Sequence, residues 1–127
     1  LASMVEKETG APEERPMISS VFHNRLRKRM RLQSDPTTIY GIWVETGKFK
    51  QNITRADLVN PTPYNTYTIA RLPFGPISNP GRESLAAVFT PATSEYLYFV
   101  SRNDGTRTLV RRGERLPGVE PDLGHFG

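Results

Sequence analysis

A glutamate near the start of the chain, Glu8, is the side chain best placed to do acid–base chemistry. In a helix it lies on the same face as three apolar residues, at offsets that follow the helical period: Leu1, Met4 and Val5. We therefore expect the Glu8 carboxyl group to be half-buried. Burial raises the pKa of a carboxyl group, because the charged form loses its hydration. A general acid that works near neutral pH requires such a pKa.

The neighbouring Glu6 is not expected to pair with Glu8, because residues two positions apart do not face each other on a helix. Glu6 is predicted to lie at the surface. The spacing Ser3-x-x-Glu6 fits a capping box, in which both side chains accept backbone N–H groups at a helix start. A simpler interpretation of Glu8 stays open, since a glutamate at the edge of an apolar stripe commonly pairs with an arginine or turns to solvent.

The composition describes one domain with a modest core. The chain has 127 residues, 36% of them hydrophobic, and a mean hydropathy of -0.50. Because it has no cysteine, disulfides and thiolate sites are excluded. His23 and His125 are too far apart in sequence to suggest zinc, and we expect neither a metal nor a cofactor. A net charge of +4 and a pI of about 9.7 favour an acidic partner.

Two helices are predicted at the start of the chain. The first ends near residues 9–10, and the second begins at Pro12 and ends before Asp35, because a residue preceding proline avoids helical geometry. The second helix has an apolar stripe and a basic face that runs to Arg31. Arg25 falls within the stripe, so we expect it to pair with a buried acid such as Glu8. The stripe residues are Ile18, Val21, Phe22 and Leu26.

The remaining elements are shorter. Residues 37–40 fit a strand or a helical turn, residues 42–49 a turn or hairpin tip, and residues 54–58 a helix capped by Thr54 or Asn52. Residues 60–81 form a long loop that is functional or packed on the domain. A helix at 83–89 with Leu85, Val88 and Phe89 inward, a strand at 96–100 and a turn at 103–106 follow. The tail from Arg107 is basic and of doubtful order.

Four ordered segments resemble one family, the YceG-like (MltG) endolytic murein transglycosylases of bacteria. They are ASMVEKET at 2–9, VFHNRL at 21–26 leading to MRLQSDPT at 30–37, PYNTYT at 63–68, and LPFGPISNPG at 72–81. The resemblance implies that residues 1–127 are the catalytic domain. It implies an α+β fold, a small, loop-rich helical domain with a short β-sheet and a lysozyme-like cleft.

The same resemblance implies that Glu8 is the catalytic residue, since the family's acid is the second glutamate of Glu-Lys-Glu. Helical geometry selects the same residue. From the resemblance, we expect this chain to lack the membrane anchor and LysM-like domain that usually come before the catalytic domain in the family. The family domain also continues past the last residues here, so the chain is expected to be truncated at its C-terminus, with 107–123 an insertion.

The implied substrate is the glycan strand of peptidoglycan, cleaved without water to leave a 1,6-anhydro ring. One carboxyl group serves as acid and then as base, whereas hydrolytic glycosidases usually need two. Candidate substrate-binding residues lie in the second and third segments. For Asn65 and the tyrosines, a turn cap and core packing stay open as alternatives, and Asp35 also fits a turn or cap. The candidates are Gln33, Ser34, Asp35, Tyr64, Asn65 and Tyr67.

Rival functions predict different partners. A hydrolytic muramidase needs a second carboxylate, Asp35 or Asp57, and a nucleic-acid-binding module needs the basic helix together with Tyr96 and Tyr98. An inactive murein-binding domain is the third alternative. We expect no nucleic-acid partner, because the basic cluster lacks aromatic residues. At family level, we expect a membrane-anchored parent at the periplasmic face of the inner membrane, associated with cell-wall synthases, and a soluble fragment here.

Overall fold

A computed structural model describes residues 1–9, 11–101 and 107–110, with only the backbone described at 101 and 107–110. The helices are α1 (Ala2–Glu8), α2 (Arg15–Arg27), which follows a 3-10 turn (Pro12–Glu14), α3 (Asp35–Thr46), α4 (Arg55–Leu58) and α5 (Arg82–Phe89). Strands β1 (Tyr98–Ser101) and β2 (Arg107–Val110) pair antiparallel. The predicted α+β class, mainly helical with a short sheet, is confirmed, and the lysozyme-like cleft stays a prediction.

The core forms where α1, α2, α5 and β1 meet. The predicted stripe of α2 is confirmed, since Ile18, Val21 and Phe22 are buried and Leu26 packs against the same cluster. The Phe22 ring meets Phe99 of β1 edge to face, with centroids 5.6 Å apart. Met4 and Val5 join this cluster from α1, which places the side chain at the end of that helix, Glu8, beside the core.

The predicted length of the second helix is wrong. Helix α2 ends at Arg27, and the chain then turns through Arg29, whose φ of 58° is left-handed. The Met30 N–H group donates to the Arg25 carbonyl at 2.8 Å and closes this turn. Arg29 and Arg31 therefore do not lie on a helical basic face. The reversal brings Leu32 into the core instead.

Helix α3 replaces the break predicted at Asp35 and the hairpin tip predicted at 42–49. Pro36 lies in the first turn of this helix, where its missing N–H group costs nothing. The helix ends at Gly47, whose φ is 74° and whose N–H group donates to the Trp43 carbonyl. The Asp-Pro pair thus begins a helix here, because the first turn is the part of a helix in which an N–H group has no intrahelical partner and proline is tolerated.

The short helices test two further predictions. The Thr54 cap of α4 is confirmed, since its hydroxyl accepts from the Asp57 N–H group and the Asp57 carboxylate accepts from the Thr54 N–H group. The predicted inner face of α5 is confirmed for Val88, which packs against the core cluster, and wrong for Leu85 and Phe89. Leu85 and Phe89 are 43% and 81% exposed, whereas Ser84 and Ala87 are buried. The helix approaches its neighbours closely, so small side chains face inward.

The long loop at 60–81 packs on the domain, which was one of the two predicted alternatives. Thr62, Asn65 and Thr66 are buried, and the loop lies so close to α3 that a Cβ at Gly41 would meet the Thr62 hydroxyl at 2.1 Å. Glycine is therefore required at position 41.

The capping box predicted for Ser3 and Glu6 is wrong, because α1 begins one residue before Ser3. The buried Ser3 hydroxyl accepts the N–H group of Ile77 at 3.1 Å. One Glu6 carboxylate oxygen accepts from the Gly81 N–H group at 2.7 Å and from the Ser84 hydroxyl at 3.0 Å, and the other lies 3.4 Å from Arg15. Both side chains thus tie α1 to the long loop and to α5.

The strand predicted at 96–100 is confirmed from Tyr98 onward, and the tail was underestimated, since its first four residues form β2. Tyr98 pairs with Val110 and Ser101 with Arg107. Gly10, the predicted turn at 103–106 and residues 111–127 lie outside the described residues. Within the described part of the chain, no helix is long and apolar enough to cross a membrane.

The contacts of Glu6 predict an acid-sensitive tether. The Gly81 N–H bond, followed by Ser84 and Arg15, lowers the pKa of Glu6 from its ordinary value of 4.5. A carboxyl group with a lowered pKa in the folded state stabilises the fold above its unfolded pKa and loses this effect as the pH falls. We expect Glu6→Gln to be less stable than the parent at neutral pH, with the difference closing below pH 4.5.

Denaturant unfolding of both proteins across this pH range measures the effect. Glu13→Gln, at an exposed position of the 3-10 turn, is the matched control. A stability difference for Glu6→Gln that does not change with pH would contradict the assignment.

Candidate active site

Glu8 is the last residue of α1 and is 1% exposed, more deeply buried than the half-buried position that the sequence predicted. Its Oε2 atom accepts a hydrogen bond of 2.7 Å from the Ser34 hydroxyl. The donor comes from the segment just before α3, 26 residues along the chain, so only the tertiary fold brings the two groups together. An interior carboxyl group requires such a partner.

Ser34 is itself held by hydroxyl groups from two segments. It is fully buried; its N–H group donates to Thr66 Oγ1 at 2.9 Å, and its carbonyl accepts from Thr37 Oγ1 at 2.6 Å. The Thr37 and Thr66 hydroxyl oxygens lie 2.8 Å apart. Three short side chains therefore lock the junction between the long loop and α3, and this junction orients the Ser34 hydroxyl toward Glu8.

Gln33 forms the left-handed turn that leads into this junction, with a φ of 51°. Its N–H group donates to the Thr66 carbonyl at 3.2 Å, and its side-chain oxygen lies 3.4 Å from Nη1 of Arg25. Gln33 is half-buried, so part of its side chain is accessible.

Asp35 and Tyr67 are brought together, although 32 residues separate them. The Tyr67 hydroxyl donates to Asp35 Oδ1. Burial, followed by the charge and hydrogen bond of Asp35 and by the charge of Glu8, raises the pKa of Tyr67 well above its usual range. Tyr67 therefore stays protonated and remains a hydrogen-bond donor beside both carboxyl groups.

Asn65 lies inside the domain, and its amide group bonds to protein atoms. Its oxygen accepts from the Thr38 hydroxyl at 2.9 Å and from the Tyr67 N–H group at 3.0 Å. Its nitrogen donates to the carbonyls of Leu58 and Asn60. This geometry favours the turn interpretation. The substrate-binding role predicted for Asn65 stays a prediction.

Tyr64, by contrast, is half-buried and lies among aromatic rings. Its ring centroid is 4.7 Å from Tyr40 of α3 and 6.0 Å from Phe74. The core-packing alternative therefore holds in part, since Tyr64 packs against the core cluster and is only partly buried.

Arg25 is 1% exposed and donates hydrogen bonds to backbone carbonyls. Its Nε atom donates to the Leu97 carbonyl at 2.6 Å, its Nη1 atom to the Arg31 carbonyl at 2.8 Å, and the guanidinium carbon lies 4.9 Å from the Tyr98 ring centroid. Burial lowers the pKa of Arg25 to about 10, while electrostatic interactions with Tyr98, Tyr67 and Glu8 act in the opposite direction. The guanidinium group is therefore charged at neutral pH.

The electrostatic effect of Glu8 on Arg25 agrees with the predicted association of the two groups. The position of Arg25 also disrupts the basic surface that a nucleic-acid-binding module would need. Tyr96 and Tyr98 are partly buried and pack against the core cluster. A shallow pocket of about 300 Å³ opens beside Arg25 and is lined by Arg25, Met30, Arg31, Gln33 and Tyr98.

Thr37 and Thr66 are site residues that sequence reasoning did not single out, although both lie in the segments used for the family resemblance. A threonine beside a candidate residue is no signal by itself, because the type is common in turns. The other candidate carboxylate, Asp57, caps α4 and lies 2.7 Å from Lys50. Within the described residues, no cluster of three or more His, Cys, Asp or Glu side chains is arranged to hold a metal.

The fold and the site define a helix-rich α+β domain in which a buried glutamate meets a serine hydroxyl. Over residues 1–112 the sequence matches the YceG-like family, and the chain belongs to that family. The resemblance inferred from the four segments is thereby confirmed.

Known relatives agree with this assignment. The endolytic murein transglycosylase of Bacillus subtilis is 42% identical over 113 residues, which cover 86% of this chain and 30% of that protein. Its counterpart in Streptococcus pneumoniae is 37% identical over 106 residues, 80% of this chain and 18% of that protein. A yceG-like protein from Listeria monocytogenes, known from a crystal structure, superposes with a TM-score of 0.78 at 44% identity, over 87% of this chain and 35% of its own.

Arg25 is predicted to be a stabilising residue of the site. Arg25→Met keeps much of the side-chain volume and removes the donor to the carbonyls of Leu97, in a buried hydrogen bond, and Arg31, in a partly buried one. We expect the free energy of unfolding to fall by about 3 kcal/mol. Urea unfolding of this variant beside Arg31→Met, an exposed position, measures the difference. Equal losses in the two variants would rule out a special role for the buried guanidinium group.

Proposed function

We propose that residues 1–127 are the catalytic domain of a lytic murein transglycosylase. The observation that carries the proposal is the burial of Glu8 against the Ser34 hydroxyl, in a chain of the YceG-like family. The curated relatives bear the name endolytic murein transglycosylase, and the chain spans only 30% and 18% of their lengths. The proposed substrate is the glycan strand of peptidoglycan, and the bond cleaved is the one between N-acetylmuramic acid and N-acetylglucosamine.

In the proposed reaction, Glu8 acts first as an acid and then as a base. Its protonated carboxyl group gives a proton to the oxygen that joins the two sugars, and the bond from that oxygen to the anomeric carbon breaks. The resulting carboxylate takes the proton of the sugar's own 6-hydroxyl group as that oxygen bonds to the anomeric carbon. The product carries a 1,6-anhydro ring, no water is consumed, and Glu8 returns to its initial state.

The surroundings of Glu8 suit a group that alternates between two protonation states. Burial favours the neutral acid, while the Ser34 hydroxyl and the positive charge of Arg25 favour the carboxylate. Because Ser34 is fixed by Thr37 and Thr66, the carboxyl group is oriented before substrate binds.

The remaining roles are proposals of the same kind. A cleft between the end of α1, the start of α3 and the loop at 62–67 would place Gln33, Asp35, Tyr64 and Tyr67 near the sugars. For the whole protein, the proposal extends to cleavage within strands and release of nascent strands. It also includes association with cell-wall synthases and a membrane-anchored parent at the periplasmic face of the inner membrane.

Hydrolysis is the second candidate, and one observation favours it. The Tyr67 hydroxyl donates to Asp35, and the charges of both Asp35 and Glu8 raise the pKa of this tyrosine. Two carboxyl groups therefore lie near one phenol, and a hydrolytic glycosidase uses such a pair to activate water or to form a covalent intermediate. Asp57 suits this role less, since it caps α4 and pairs with Lys50.

The mass of the products distinguishes the two reactions. We expect the chain to release anhydro-ended fragments from uncrosslinked glycan strands, and Glu8→Gln, which cannot transfer the proton, to release none. Mass spectrometry of both digests, with Glu13→Gln as a control that stays active, makes the measurement. Fragments heavier by one water would move the assignment to hydrolysis, and Asp35→Asn would then test the second carboxyl group.

Ser34 is predicted to position the catalytic carboxyl group. We expect Ser34→Ala to lower kcat by about tenfold to a hundredfold, because a misplaced catalytic group is costly, with little change in KM. The pH profile should shift upward, since the hydroxyl stabilises the carboxylate. Ser20→Ala removes an equally buried hydroxyl, bonded to Met17 and Ser94, and serves as the control. A loss of kcat without a shift in the pH profile would indicate a structural role only.

A further inference from the structure

Five aromatic rings form a continuous row across the surface made by α3 and the loops beside it. Neighbouring centroids in this aromatic row are 6.0, 4.7, 6.0 and 6.2 Å apart. Aromatic pairs at such distances attract each other and hold one another's orientation. In order, the members are Phe74, Tyr64, Tyr40, Trp43 and Phe49.

The outer members of the row are exposed to an unusual degree. Trp43 is 50%, Phe49 63% and Phe74 80% exposed, while Tyr40 and Tyr64 pack on the core from the middle of the row. Phe74 packs on Tyr64 at one end of the row, and Trp43 packs on Tyr40 and Phe49 at the other. None of the three outer rings belongs to the core cluster, so core packing does not account for them. A contiguous exposed apolar patch of this kind marks a binding surface.

The row is continuous with the candidate active site. Tyr64 precedes Asn65 and Thr66 in the chain, and the Thr66 hydroxyl accepts from the Ser34 N–H group beside Glu8. Tyr40 lies on α3, the helix that begins directly after Ser34. One rigid junction therefore fixes both the catalytic carboxyl group and the inner rings of the row.

We propose that the aromatic row is a binding surface for the glycan strand, at sugars beyond the bond that is cut. The inference rests on the proposed function and extends it from Tyr64 to Tyr40, Trp43, Phe49 and Phe74. A polymeric substrate continues past the catalytic group, and the apolar faces of its sugar rings stack on aromatic side chains. Because the rings are already arranged, binding loses little conformational entropy.

Trp43 is the only tryptophan of the chain, so its fluorescence reports on the row directly. Uncrosslinked glycan strands titrated into the inactive Glu8→Gln protein should change the Trp43 emission and give a dissociation constant. A second substitution, Phe74→Ala, should weaken binding about tenfold, as the loss of one stacking contact does elsewhere. Phe89→Ala is the matched control, because Phe89 is 81% exposed but lies on α5.

Each outcome of these binding experiments either supports or overturns the proposal. The proposal is overturned if the Trp43 emission does not change while a pull-down shows that the strand binds. It is also overturned if Phe89→Ala weakens glycan binding as much as Phe74→Ala does. A third outcome also overturns it: Phe74→Ala changes self-association in light scattering and leaves the glycan affinity intact. The aromatic row would then be a surface that binds a protein partner. Circular dichroism confirms that the variants fold.

A parallel cleavage assay separates this proposal from the proposed function. If the parent cleaves the strands but binding does not depend on the aromatic row, the proposed function is retained and the aromatic row is not a glycan-binding surface. If strands bind through the aromatic row but the parent does not cleave them, the row is a glycan-binding surface and the proposed catalytic function is wrong. Absence of both binding and cleavage overturns both.

Discussion

The presence of two ionisable side chains inside a small domain is the constraint on which this structure depends. Glu8 and Arg25 are each 1% exposed. A buried charge is costly unless other groups of the protein replace its hydration, and the polar contacts around both residues do this. The Ser34 hydroxyl reaches Glu8, and the carbonyls of Leu97 and Arg31 reach Arg25. The turn after α2 and the start of α3 are therefore shaped by polar demands as much as by apolar packing.

Small hydroxyl side chains carry much of this organisation. Thr37 and Thr66 bond to each other and to the backbone of Ser34, from segments 29 residues apart. A β-branched side chain has few rotamers, so a network built from threonine loses little entropy on ordering and holds one geometry. Reactions that use a single carboxyl group as acid and base need such a fixed geometry, because the same oxygen atoms must meet two protons in turn. The site and the proposed chemistry agree on this point.

Local patterns predicted the parts of the fold in which neighbouring residues decide the outcome. The face shared by Met4, Val5 and Glu8 follows from helical spacing, and the Thr54 cap follows from hydroxyl chemistry at a helix start. The errors have a common cause. Asp35 before proline fits both the end of one helix and the start of another, and the position of Phe89 on α5 depends on how closely that helix approaches its neighbours.

By itself, the sequence determined that Glu8 lies on an apolar helix face, that the chain resembles the YceG-like family, and that the long loop at 60–81 is either functional or packed on the domain. Only the tertiary structure decided that Ser34 meets this acid, that Tyr67 joins Asp35, and that the Asn65 amide bonds within the domain. These contacts join residues 26 and 32 positions apart, or a loop to a helix. Hydrophobic periodicity specifies which face of an element is buried. The residues that this face contacts depend on how the chain turns. Here the chain turns at Arg29 and Gln33, which have left-handed backbone conformations, and the sequence does not indicate these turns because neither residue is glycine.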